Sequence, residues 1–160
     1  MGESTFQLVD KAEQLVFAVL DITTNRSHYP VKFRRLSDRL QEYVLNIQSS
    51  VIDANSIKPD TEFRKARRFE LQTQAIAGCN KFLSLTKYSL HAKLISSSTS
   101  EVWTGLAHDI KFMALALTLF YSHQYVYAEL NNEQIKTLVD AGFKISPNSD
   151  QETEGYIIRR

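Results

Sequence analysis

Four long stretches of this chain place apolar residues at every third or fourth position, and three short polar breaks separate them. That spacing aligns side chains on one face of a helix, so each stretch needs a neighbour to cover its stripe. The first stripe, Leu8, Val9, Ala12, Leu15, Val16, Val19 and Ile22, predicts a helix from Ser4 or Thr5 to about Thr24. "TTNRSHYP" ends it, because the proline disfavours helical geometry at Tyr29. After Pro30 a second stripe runs through Phe33, Leu36, Leu40, Tyr43, Val44, Ile47, Val51 and Ala54, then stops in "NSIKPD". Pro59 is the breaker there, and Asp60 is the expected cap of the next helix. The third helix is predicted from Asp60 or Thr61 to about Leu94, with Leu71, Ala75, Gly78, Phe82, Leu85 and Ser89 on its seam. "ISSSTSE" offers Ser98 or Ser100 as a cap for the fourth stripe, Val102, Leu106, Ile110, Met113, Leu117 and Phe120.

Amphipathic helices joined by short connections predict an all-α fold, an antiparallel up-down four-helix bundle over residues 1–121. Five glycines and three prolines are too few for a turn-rich β-protein, which favours the same class. Residues 122–160 form a C-terminal extension, with a short helix at about 132–141 closed by Gly142. Beyond it comes a polar, flexible tail that ends in a small apolar patch.

Several function classes find no support in the residues. The longest apolar run, Phe112 to Tyr121, is about half the roughly 20 residues of a membrane helix. No basic, apolar leader opens the sequence, and one cysteine precludes an intrachain disulfide, so a cytoplasmic protein is expected. His28, His91, His108 and His123 lie far apart without HExxH, Glu-x-x-His or CxxC partners, so neither metal nor other cofactor is expected. His108 and Asp109 are adjacent, yet neighbours on a helix point in different directions. Cys79 reads as packing, and Trp103 as an anchor at the start of the fourth helix. The expectation is a protein that is not an enzyme.

Charge is the remaining signal. The formal total is only +1, but residues 26–68 hold ten basic and five acidic side chains, which leaves the remainder at −4. Lys32, Arg34, Arg35 and Arg39 crowd the start of the second helix; Arg64, Lys65, Arg67 and Arg68 crowd the start of the third. Basic surfaces of this kind bind phosphates, and these eight residues are the candidate nucleic-acid contacts. In an antiparallel pair the two groups fall near opposite ends of the rods. Arg64 and Arg68 also lie in line with the buried seam, so either the bundle has opened there, or carboxylates such as Asp38 or Glu42 answer them, or they face another subunit or an anionic ligand.

"YPVKFRRLSDRLQEYVLNIQSSVIDAN" and "EFRKARRFELQTQAIAGCNKFLSLTKYSLHAKLIS" resemble the second and third helices of a bacterial four-helix-bundle family. That family comprises proteins encoded in rRNA intervening sequences and the accessory variability determinants of diversity-generating retroelements. The likeness covers roughly Phe6 to Tyr121. It implies a homo-oligomer, a pentamer, that binds RNA or DNA and a reverse transcriptase or another mobile-element enzyme. By position, the matching basic residues are Lys32, Arg34, Arg35, Arg39, Arg64, Arg67 and Arg68. The leading expectation is therefore a non-catalytic nucleic-acid-binding accessory protein. The alternative is an interaction scaffold or adaptor of mobile-element or conjugation machinery that touches no nucleic acid.

Overall fold

The stripes find their partners in a ring of adjacencies. In a computed structural model, which describes residues 2–120, 126–128, 130–147 and 155–159, helix α1 (Gly2–Thr23) packs on α2 (Arg34–Ser56) and on α4 (Ser97–Phe120). Helix α3 (Glu62–His91) packs on the same two. A single 3-10 turn, Val31–Phe33, leads from Pro30 into α2. Most described residues are helical, as the sequence predicts. The expected boundary between bundle and extension, at 121–122, lies outside the described residues.

The buried faces follow the predicted stripes closely. Leu8, Ala12, Leu15, Val16 and Val19 from α1 meet Leu40, Val44, Ile47 and Val51 from α2 in one cluster with Ala75, Cys79 and Phe82 of α3. From α4 come Trp103, Ala107, Ile110, Met113 and Leu117. Each large side chain so covered contributes about 1.5–3 kcal/mol relative to exposure. Trp103 is only 1% exposed, and its ring tilts at 44° against Phe82 with centroids 5.8 Å apart. Val102, placed on the stripe by spacing, instead points outward, because its neighbour Trp103 takes the inward position.

Two contacts fix how α2 and α3 run. Arg68 Nη1 donates to the Ile57 carbonyl at 3.0 Å, and Gly78 abuts Ile47. Ten residues back along α2 is ten forward along α3, so the pair is antiparallel. The approach at Gly78 is close: a Cβ there would sit 2.8 Å from Ile47 Cγ1.

Helix ends differ from expectation by a residue or two. Thr61, not Asp60, caps α3 by accepting from the Arg64 N–H at 3.2 Å. Ser96, not Ser98 or Ser100, accepts from the Thr99 N–H at 3.1 Å at the start of α4. Past the end of α3, Lys93 adopts φ +58°, and the Leu94 N–H reaches back to the Ser89 carbonyl at 3.0 Å. The same closure ends α5 (Asn132–Asp140), where Gly142 has φ +90° and the Phe143 N–H donates to Leu138 at 3.0 Å. Asn131 and Gln134 form a reciprocal capping box at the front of α5.

The expected polar tail needs correction where it is described. Lys144–Pro147 (β2) and Tyr156–Arg159 (β3) are strands, and with β1 (Val126–Ala128) they form an antiparallel sheet in the order β1-β3-β2. Ile158 stands opposite both Val126 and Ile145. Leu138, Ala141, Phe143 and Ile158 join the buried cluster of the four long helices, so this region is packed. Gln7 Nε2 donating to the Asp140 carbonyl at 2.8 Å ties α5 to α1.

Two glycines give a contrast that tests the packing. Gly78→Val forces atoms into Ile47 and should cost about 1–3 kcal/mol. Gly105→Ala on α4 meets nothing within 4 Å and should gain about 0.5–1 kcal/mol from helix propensity. Urea unfolding of the two variants against the parent reads both signs.

Candidate nucleic-acid interface

The eight predicted contacts do not share one environment. Arg68 is 1% exposed, buried on the α3 seam as its spacing suggested. A buried guanidinium must be answered, and the Ile57 carbonyl supplies one acceptor at 3.0 Å. Arg68 is thus a structural residue of the α2–α3 turn, and the solvent-side phosphate role assigned to it does not fit this placement. Arg64, in line with it, faces solvent and holds both carboxylate oxygens of Asp60 at 2.8 Å. Asp38 and Glu42, named among the carboxylates expected to answer these arginines, pair with Arg34 and Arg39.

Four more cations are answered on their own helices. Arg34 lies 3.8 Å from Asp38, Arg39 3.3 Å from Glu42, Lys65 2.8 Å from Glu62 and Arg67 2.7 Å from Glu70. All these pairs are exposed, so each contributes between zero and about 1 kcal/mol and leaves its cation available for exchange. Lys32 lies over the Phe33 ring at 5.2 Å. Arg35 is exposed and forms no ion pair among the described residues.

A groove of about 420 Å³ runs between α2 and α3, and of the eight predicted contacts Arg67 lines it. Its α2 wall is the row Tyr43, Asn46, Ser50 and Asp53; its α3 wall is Arg67, Leu71, Gln74, Gly78 and Lys81. Steps of three and four residues keep each row on one line. The α2 row extends backward through Arg39 and Arg35 by the same steps. Ten residues beyond the Ile47–Gly78 crossing, the antiparallel register sets residues 35–39 of α2 beside the Tyr88 turn of α3. Arg67 and Lys81 thus line the groove, and Arg39 and Arg35 follow on the α2 row past its Tyr43 end. Arg34, Arg64 and Lys65 do not line the groove. Lys81 was missed in the sequence because a lone lysine carries no pattern.

The other large recess, about 630 Å³ between α4 and α5, is lined by Glu101, His108, Asp109, Phe112, Asn131 and Thr137 among others. Asp109 is held by Lys11 at 3.1 Å and by the Thr137 hydroxyl at 3.1 Å, while His108 stacks on Phe112 with centroids 6.2 Å apart. Asp109 therefore does not orient His108 as a base. Among the described residues no group of three His, Cys, Asp or Glu side chains could hold a metal ion, and no helix is long and apolar enough to cross a membrane.

Cys79 is fully buried, and burial pushes its thiol up to about 12, with Lys111 opposing weakly. Burial likewise raises the Tyr29 hydroxyl, opposed by the nearby Ser89 hydroxyl; the two oxygens do not reach hydrogen-bond geometry. A folded chain that keeps a proton the unfolded chain releases loses stability as pH rises. The Cys79 contribution should be intact below about pH 9 and decline toward 12. Urea unfolding should show Cys79→Ala gaining on the parent between pH 8 and pH 10.5, and a thiol reagent at pH 8 should label Cys79 only in denaturant.

Comparison of the chain with protein-family models, with curated proteins and with solved structures finds no match.

Proposed function

We propose that this chain is a non-catalytic accessory protein that binds nucleic acid along the α2–α3 groove through phosphate contacts. The observation that carries this reading is Arg67 and Lys81 on the groove wall with polar Asn46, Ser50 and Gln74 and a single carboxylate, Asp53, while Arg39 and Arg35 continue the α2 row beyond it. Such a groove offers charge along its length and amide or hydroxyl donors between the charges, which is how a phosphate backbone is held. The groove lies on one protomer, so the reading does not require subunits to gather before the cations line up. An antiparallel up-down four-helix bundle is the architecture that goes with it, supported by the ring of helix adjacencies. The likeness of α2 and α3 to the intervening-sequence and retroelement family supports the finer assignments. These are a pentameric assembly, a reverse transcriptase or other mobile-element enzyme as partner, and a cytoplasmic setting.

One observation favours a second reading. Arg34, Arg39, Arg64, Lys65 and Arg67 are already partnered by carboxylates of the same molecule. A protein scaffold with a charge-balanced surface would look the same and would bind no nucleic acid.

Binding measured against salt separates the two. Phosphate contact predicts log affinity falling linearly with log salt, by about 0.9 per phosphate neutralised on duplex DNA and about 0.7 on a single strand. Replacing Arg35, Arg39, Arg67 and Lys81 together with Gln should abolish binding and flatten that slope while circular dichroism stays unchanged. Arg68→Ala should act differently, lowering stability by about 1.5–3 kcal/mol through the lost charged hydrogen bond. A parent protein that binds neither RNA nor DNA at low salt leaves the scaffold reading.

A further inference from the structure

We propose that the α2–α3 groove takes a single strand, and that Phe63 and Tyr88 hold its bases by stacking. This deepens the reading above and rests on it. Phe63 is 81% exposed and Tyr88 57% exposed, the first the most exposed large apolar side chain among the described residues. Scattered apolar residues on a surface are ordinary and need no explanation. These two are not scattered. Phe63 stands four residues before Arg67, and Tyr88 seven after Lys81, so the two continue the α3 row past either end of the stretch, Arg67 to Lys81, that lines the groove. The row reads aromatic, cation, cation, aromatic along about 38 Å of helix.

The α2 helix adds the counterpart. Its antiparallel register sets Arg35 and Arg39 beside Tyr88, so each ring has a guanidinium at its own end of the row: Arg67 near Phe63, Arg35 and Arg39 near Tyr88. Phe69, also exposed, is turned about a third of the way round the helix from Phe63 and belongs to neither row. Cations that track a backbone and rings that accept base faces are the two parts of sequence-tolerant single-strand binding. A duplex buries its base faces within its own stack and offers these rings nothing. An acidic peptide satisfies the cations but also leaves both rings exposed.

Fluorescence anisotropy with three probes tests the proposal: an oligodeoxythymidine strand, an abasic strand of equal length, and a duplex. The abasic strand keeps the phosphates and removes the bases. The parent should bind the base-bearing strand more tightly than either other probe. Phe63→Ala and Tyr88→Ala should each weaken that binding roughly 5- to 150-fold and leave the abasic strand unchanged. Phe63→Tyr, which keeps a ring, should retain the parent's preference. Both positions are exposed, so the variants should fold as the parent does, which circular dichroism checks. Equal binding of the abasic strand by the parent, a preference for duplex, or an alanine variant that keeps the parent's preference overturns the stacking. If the alanine variants behave as the parent while the Arg35, Arg39, Arg67 and Lys81 variant loses all probes, stacking fails and the phosphate reading stands. If polyglutamate competes as well as the strand does, an acidic protein is the partner and both fail.

Discussion

The closeness of α2 and α3 at Gly78 sets the geometry of everything on that side of the molecule. With hydrogen in place of a side chain, Ile47 sits against the backbone of α3, and the axes can approach more than two ordinary apolar residues would allow. Ala75 and Ala77 beside it continue the small-residue stretch. Because the crossing fixes register as well as distance, it decides which side chains become neighbours along the whole pair. Arg68 settles at the turn, where the Ile57 carbonyl accepts from it, and Tyr88 arrives beside the start of α2. A crossing one residue out of step would turn Arg68 outward and pull Lys81 away from the wall.

Electrostatics on this surface is governed by distance in sequence. Most of the cations sit three or four residues from a carboxylate, and the helix brings each such pair together without any tertiary requirement. Asp60 and Glu62 also lie at the positive end of the α3 dipole, where negative charge is favoured. Such local pairs reduce the field but hold their cations weakly, since water screens them and the long side chains keep other rotamers within reach. Arg35 and Lys81 form no ion pair among the described residues.

The helices were legible because their signal is long. Leu40, Val44, Ile47 and Val51 recur through enough turns that no strand could present them on one face, and they are all buried. Caps were less so: "SSSTS" offers several hydroxyls, and Ser96 is the one that accepts from the Thr99 N–H. The burial of Arg68 could be read from its line with Leu71 and Ala75, whereas its acceptor could not, because a main-chain carbonyl leaves no mark in a sequence. The ion pairs were equally visible in spacing, from Asp60–Arg64 to Arg67–Glu70, whereas Asp38 and Glu42, named as candidates to answer Arg64 and Arg68, went to Arg34 and Arg39. The sheet left almost no trace. "KISP" and "YIIR" are four residues each, too short for a period of two to declare itself, and what stabilises them is a partner distant in the chain.

That sheet has an ordering with a structural consequence. The central strand is the last of the three in sequence, and among the described residues β1 and β2 each pair with it. Phe143 and Ile158 settle against the apolar cluster of the four long helices. Tyr156–Arg159 is thus the keystone of this end: take it out and the two outer strands lose the partner they share.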